Sequence, residues 1–299
     1  MTERNQQASK GGWQLLWPLI VTVGQVVSGW RAEQNYRSLP QILPASSYDQ
    51  ARDSTYPGVS IIVPARNEAE NLPRLLDSLV TQDYLSYEIL VIDDASEDAT
   101  AAIALRYKDQ GVLLIRSAGP PVGWTGKNAA CWLGAEESAC SWLLFIDADS
   151  HPSAELFGDV VEQIQSGKCL AGGSTVRLEA GYPKANFMTG LWNFASRWRR
   201  LLAGSFIFCE AAAFRKVGGF SNELFAGEEL DLSERLKKLA RETGRELVIL
   251  HRHPLLTSAR KMRLYSTREL LGFFLRAAFN QKKVLTNREA CHPWYDGRR

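Results

Sequence analysis

The chain has 299 residues, 45% of them hydrophobic, a size and composition that favour one large α/β domain over two small ones. Its 35 Lys and Arg against 33 Asp and Glu leave a formal charge of +2, which argues against a dedicated nucleic-acid binder. The five cysteines, Cys131, Cys140, Cys169, Cys209 and Cys291, are scattered without CxxC spacing, so neither a zinc site nor a disulfide framework is indicated, and a reducing cytoplasm fits.

Residues 1–12 are polar, and 13–30 form the most apolar stretch, interrupted by Gln14, Pro18, Gln25 and Ser28. A spanning helix needs roughly 20 mostly apolar residues. The stretch falls short in length and purity, so its tryptophans suggest a helix lying on a membrane or in a protein groove, with a true span left open. It lacks a basic start and a small-residue cleavage site, so no signal peptide is expected. Three prolines and many polar residues make 31–57 a linker.

Residues 59–63 (VSIIV) open a regular alternation. Strands are expected at 59–63, 89–92, 112–115 and 143–146, and helices at 68–82, 98–107, 127–139 and 153–164. Continuous apolar strand runs alternating with amphipathic helices imply crossovers and a largely parallel sheet buried on both faces. A strand is expected at 170–178 and a helix at 187–202; strand, short helix and glycine turn follow over 204–220, then a helix from the acidic run at 226–231 to about residue 241. The helix at 187–202 reads as core packing, or as an aromatic and arginine-rich side that meets a lipid. Residues 252–299 carry eleven Lys and Arg against three acids, a basic segment.

Ligands of such sheets gather at the carboxyl ends of the strands. Three of those ends carry polar clusters: Pro64 to Glu68, Asp93 to Ser96, and Asp147-Ala148-Asp149. If the strand pleat persists past residue 146, Asp147 and Asp149 face one site, where Mg²⁺ or Mn²⁺ would take them together with diphosphate oxygens. The same aspartates would otherwise cap the helix beginning near Pro152. The loop 119–127 (GPPVGWTGK) delivers Lys127 to a helix start, a place suited to phosphate, though the Gly-x4-Gly-Lys-Ser/Thr spacing is absent. Glu228 and Glu229 open a helix, where acids are favoured by the dipole and where a carboxylate under a pocket serves as a base.

Together the stretches SIIVPARNEAENL (60–72), VIDDASEDAT (91–100), FIDADS (145–150), GSFIF…FRKVGGF (204–220) and GEELDLSERL (227–236) resemble the family-2 inverting glycosyltransferases of GT-A fold. GWTGKNAA and TSARK (257–261) look most like the branch acting on carotenoids and hopanoid-type lipids. The resemblance implies a Rossmann-like single GT-A domain over 57–261, between an interfacial helix and linker at 1–56 and a basic amphipathic tail at 262–299. It places Pro64, Arg66 and Glu68 by the nucleobase and ribose, Asp94 on the uracil edge, Lys127 against the nucleotide, and Asp147 on ribose or metal-bound water. Asp149 would ligate the metal, and Arg235 falls on a family arginine that serves donor binding. Glu229 stands where the family usually has Asp, so either Glu228 or Glu229 is the base. His151 and His253 read as structural histidines or as further metal or phosphate ligands.

The expected activity is metal-dependent inverting transfer from a UDP-sugar to a lipid-like acceptor, at the cytoplasmic face of a membrane that the chain touches peripherally, with no nucleic-acid partner. A polysaccharide or protein acceptor, a sugar nucleotidyltransferase and a non-catalytic nucleotide-sugar-binding scaffold are the rivals. The nucleotidyltransferase would open with a glycine- and arginine-rich loop where this chain has PARNEAEN.

Overall fold

A computed structural model of the protein describes residues 57–82, 86–179, 183–224 and 226–258, and for 183–188 the backbone alone. The expected helix at 13–30 and the basic segment at 262–299 lie outside the described residues. In chain order the elements are β1 (Val59–Ala65), α1 (Leu72–Val80), β2 (Tyr87–Asp94), α2 (Thr100–Arg106), β3 (Val112–Ser117), α3 (Gly126–Glu137), β4 (Trp142–Ile146), β5 (Ser150–His151), α4 (Ala154–Gln165), β6 (Cys169–Leu178), α5 (Pro183–Arg199), β7 (Phe206–Glu210), α6 (Ala211–Lys216), α7 (Glu228–Glu242) and β8 (Glu246–Thr257).

One sheet runs in the order β3-β2-β1-β4-β7-β6-β8-β5. β1 pairs in parallel with β2 and β4, and β2 with β3, as the alternation of strands and helices requires. β7 is antiparallel to both β4 and β6, β8 runs parallel to β6, and β5 is antiparallel to β8, so the second half of the sheet is mixed.

The pleat divides each apolar run between two cores. Ile61, Ile89, Val91, Leu144 and Ile146 join α1, α2 and α4 on one face, through Leu75, Leu79, Ile103, Leu156 and Val160. Their neighbours Ile62, Leu90, Ile92, Leu143 and Phe145 join α3, α6 and α7 on the other, through Cys131, Phe214, Leu232 and Leu236. Helices on both faces explain why the strands carry no polar alternation. Phe145 sits at the centre of the second core, its ring 4.8 Å from Phe214 and 5.5 Å from Phe220.

Two expectations need correction. β4 stops at Ile146, and a turn follows in which Ser150 N–H donates to the Asp147 carbonyl at 3.0 Å, so the pleat does not carry through both aspartates. Neither aspartate caps α4: its N-cap is Ser153, whose hydroxyl accepts from Leu156 N–H. Two strands were not expected, β5 and β8. The alternation of β8 is blurred by His251, Arg252, His253 and Pro254, and only pairing along β6 makes it a strand.

Candidate active site

The rim of the sheet begins where β1 and β2 end in register, Pro64 beside Ile92 and Ala65 beside Asp93. Just past these ends Asn67 (φ 53°) and Ala95 (φ 52°) take left-handed backbone, which costs a non-glycine residue roughly 1–3 kcal/mol. Cross-bonds between the two turns offset that cost. Asn67 N–H donates to Ser96 Oγ at 2.9 Å, Glu97 N–H to Asn67 Oδ1 at 2.8 Å, and Glu68 N–H to Thr100 Oγ1 at 2.8 Å. The loop carrying Pro64, Arg66 and Glu68 is thereby locked to the loop carrying Asp94. Glu68 itself accepts from Asn71 Nδ2 at 2.6 Å.

Asp93 and Asp94 part ways here. Asp93 is fully buried, accepts from Ser96 N–H at 3.2 Å and faces Arg116 Nε at 3.5 Å, so it holds the loop. Asp94 points along the rim. Its Oδ1 accepts from Ser117 Oγ at 3.4 Å, while Oδ2 lies 3.7 Å from Arg66 Nη1 and has no hydrogen-bond donor among the described residues. A buried carboxylate oxygen left without a donor is expensive unless a ligand supplies one. The start of α3 lies against that oxygen, and a Cβ added to Gly126 would collide with it.

The next residue along α3, Lys127, turns toward the end of β4. Thr125 caps α3 by accepting from Asn128 N–H at 3.2 Å, and Asn128 donates to the Ser221 carbonyl at 3.1 Å. Lys127 Nζ lies 2.5 Å from Asp147 Oδ1 and donates to the Gly204 carbonyl at 2.9 Å. Burial alone would lower the Lys127 pKa; the Asp147 carboxylate outweighs it and raises the pKa, so the ammonium is permanent. Asp147 N–H donates to the Ser205 carbonyl at 3.3 Å, which ties the end of β4 to the 203–205 turn.

α7 brings the acids to the same place. Gly227 takes φ 74° as its N-cap, and Glu228 and Glu229 form its first turn. The Ser233 hydroxyl donates to the Glu229 carbonyl at 2.7 Å and accepts from Leu202 N–H at 2.9 Å, docking α7 on the turn that holds Gly204. A Cβ at Gly204 would lie 3.4 Å from Glu229 Oε1 and 3.6 Å from Lys127 Nζ, so both side chains border this glycine. Burial, and then the charge of Glu229, push the Glu228 carboxyl up to about 8.

The expected residues therefore fall into two adjoining groups on one rim. Pro64, Arg66, Glu68 and Asp94 form one; Lys127, Asp147, Glu228 and Glu229 form the other, with Asp149 on the turn that follows Asp147. Arg235 joins neither. It is buried against Asp231, its Nη2 2.7 Å from Asp231 Oδ2, and donates to the Val217 carbonyl. His253 Nδ1 pairs with Asp159 at 3.1 Å, and His151 Nε2 lies 3.8 Å from Glu179, with a pKa lowered by burial and by Arg74. Both histidines have structural partners. Sequence reasoning passed over Gly126, Gly204 and Ser233; the GWTGK glycine was visible as loop chemistry, but nothing local marks the other two.

Among the described residues, no group of three or more His, Cys, Asp or Glu is placed to hold a metal ion. Asp147 and Asp149 have the hard oxygen donors that Mg²⁺ or Mn²⁺ takes, too few to complete a metal site without further oxygens from a ligand. Asp147 is already paired with the Lys127 ammonium.

The chain is 41% identical over 106 residues to a 4,4'-diaponeurosporenoate glycosyltransferase of Staphylococcus haemolyticus, a stretch covering 34% of this chain and 27% of that protein. It is 30% identical over 212 residues to glycosyltransferase AglE of Haloferax volcanii, 66% of each. The fold is shared with the mannosyltransferase PcManGT of Pyrobaculum calidifontis, solved with GDP-Man and Mn²⁺, at a TM-score of 0.57 and 18% identity over 91% of this chain and 72% of that one. TarS of S. aureus, solved with UDP-GlcNAc, shares it at 0.54 and 19%, over 79% of this chain and 69% of that one. The family model described as Glycosyl transferase family 2 matches residues 60–219. More than half of the chain thus carries the family pattern on a GT-A fold, while the first of these relatives is matched over about a quarter of its own length: the protein belongs to glycosyl transferase family 2.

Proposed function

We propose that the protein transfers a sugar, with inversion, from a UDP-sugar to a hydroxyl of a lipid-like acceptor, a carotenoid or other isoprenoid, at the cytoplasmic surface of a membrane. The observation that carries the reading is the convergence of Lys127, Asp147, Glu228 and Glu229 around Gly204, beside the unsatisfied Asp94 oxygen. Asp94 Oδ2 accepts a donor from the base edge, and the Pro64 to Glu68 loop borders base and ribose. The relatives named for diaponeurosporenoate support a carotenoid-like acceptor, and the neighbours bound to UDP-GlcNAc and GDP-Man support a nucleotide-sugar donor.

Held by Asp147 and Asp149, Mg²⁺ or Mn²⁺ would neutralise charge on the departing diphosphate as a Lewis acid. Lys127 adds a second positive charge at the same oxygens. The acceptor oxygen forms its bond to the anomeric carbon on the face opposite the diphosphate as the bond to the phosphate oxygen breaks, and the acceptor proton passes to a carboxylate. We assign that role to Glu229, whose carboxyl group lies against Gly204, while burial and the charge of Glu229 raise the Glu228 pKa. Arg235 acts at a distance, by tying α7 to the Val217 carbonyl, with Asp231 one turn back on the same helix fixing its guanidinium.

The test is thermal unfolding with UDP, with and without Mn²⁺, on the native protein and on Asp149→Asn. UDP at 100 times its dissociation constant should stabilise by about 2.7 kcal/mol and raise the midpoint by about 4–6 °C. The shift should require Mn²⁺ and vanish in the variant; a shift with another nucleotide only would discard the donor assignment. Radiolabel from the UDP-sugar should then enter the solvent-extractable lipid fraction, and label confined to polymer or protein would move the acceptor to that class.

A further inference from the structure

At the far end of α7 from the proposed active site lies a second polar cleft of about 410 Å³, between α5 and α7 over the start of β8. Arg241 stands twelve residues beyond Glu229 on this helix, about 18 Å along its axis. The cleft is lined by Trp198, Arg199, Arg200, Lys237, Arg241 and Arg245, with Glu234 as the acid facing them. Some of this charge is matched: Lys237 pairs with Glu234 at 2.8 Å, Arg200 with Glu246 at 3.0 Å, and Arg245 with Glu210. Arg199 and Arg241 are the surplus. Arg199 sits over the Trp198 ring, 5.4 Å from its centroid, a geometry that leaves the guanidinium edge free to bind an anion. Burial lowers the Lys237 pKa and the charges of Arg199 and Arg241 lower it further, against the pull of Glu234. An anion in the cleft would relieve that crowding.

The cleft borders an apolar ridge. Leu191, Phe194 and Trp198, spaced three and four apart, occupy one side of α5 and are 43%, 67% and 69% exposed. Phe194 and Trp198 stack at 6.4 Å, so the ridge is ordered while facing solvent. A second hollow of about 650 Å³, lined by Thr175, Asn193, Phe194, Arg197, Trp198 and His251, continues the same surface. Exposed aromatics beside a concentration of guanidinium groups match the layering of a membrane interface, where rings lie at headgroup depth and cations meet phosphate.

We propose that the cleft between α5 and α7, with the aromatic ridge beside it, seats the phosphate headgroup of an anionic phospholipid and so docks this face of the enzyme on the bilayer. The proposal rests on the membrane-surface part of the proposed function and leaves donor and base chemistry aside. It requires no membrane-crossing element, and among the described residues no helix is long and apolar enough to cross a membrane.

The experiment is partitioning of the full-length protein onto vesicles of phosphatidylglycerol with phosphatidylcholine, against phosphatidylcholine alone, at low salt. Reversing Arg199 and Arg241 to Glu should reduce the preference for the anionic vesicles at least about tenfold, since each cation near such a surface contributes about 1 kcal/mol. Reversing the exposed Arg106 and Lys108, an equal change in net charge on α2 and the turn after it, should leave most of that preference in place. Phe194→Ala with Trp198→Ala should weaken binding to both vesicle types alike, and UDP-dependent stabilisation should persist in every variant. Equal losses from the two charge reversals would overturn the cleft while preserving a charge-driven membrane contact. Failure of the native protein to bind either vesicle would overturn both cleft and membrane reading, and UDP stabilisation would still report separately on the donor site.

Discussion

Glu228 and Glu229 are adjacent in sequence and opposite in circumstance. Both are half-buried, but the Glu228 carboxyl is pushed up to about 8 by desolvation and by the charge of Glu229, whereas Glu229 lies against Gly204. Glu229→Gln should lower transfer by about 10²–10⁴-fold and leave UDP binding intact, measured by product formation beside calorimetric titration. Loss of UDP binding in step with activity would reassign Glu229 to the donor site. The raised carboxyl of Glu228 has a consequence for stability. The folded state keeps that proton up to about 8, the unfolded chain loses it near 4.5, so this group's contribution to stability falls as pH rises between those values. Glu228→Gln should flatten the melting temperature of the protein across that window, and parallel profiles for native and variant would contradict the assignment.

At the scale of elements the site is made where helices begin. α3 contributes Gly126 and Lys127, α7 contributes Glu228 and Glu229, and each start is fixed by bonds outside its own helix. Gly126→Ala would drive a methyl group into Asp94, and should weaken UDP binding about tenfold or more with a smaller effect on folding, read by titration and melting together. Ser233→Ala removes the hydroxyl joining α7 to Leu202. It should cost about 1 kcal/mol of stability, as one internal hydrogen bond does, yet lower transfer further than that loss implies, because the Glu229 side chain would drift from Gly204.

At the scale of the whole molecule, one sheet carries two cores, and the rim is as rigid as those cores are full. Phe145 lies two residues before Asp147 and touches Phe214 and Phe220, linking β4 to the helices of the second core. Phe145→Ala should destabilise the protein by about 3–5 kcal/mol in denaturant unfolding, with no change in charge at the site. The buried Cys131 and Cys169 belong to the same cores. Burial pushes both thiols up to about 12, so they should resist alkylation in the native protein and react once it unfolds.

The sequence by itself determined the parallel half of the sheet and the rim. Five-residue apolar runs between amphipathic helices permit few topologies, and polar clusters at strand ends have only the sheet edge to occupy. The polar clusters at 64–68, 93–96 and 147–149 were legible because they directly follow those runs, whereas the roles expected of Lys127 and Glu229 came from the family resemblance. Tertiary structure decided what is joined from far apart. Gly204 and Glu229 meet through α7 docking, β8 exists because β6 offers it an edge, Arg235 is drawn to the Val217 carbonyl, and the end of β4 is tied to the 203–205 turn through Asp147 N–H. Local pattern specifies elements through burial of one face at a time, whereas these four outcomes depend on packing between segments, which no window of the chain contains.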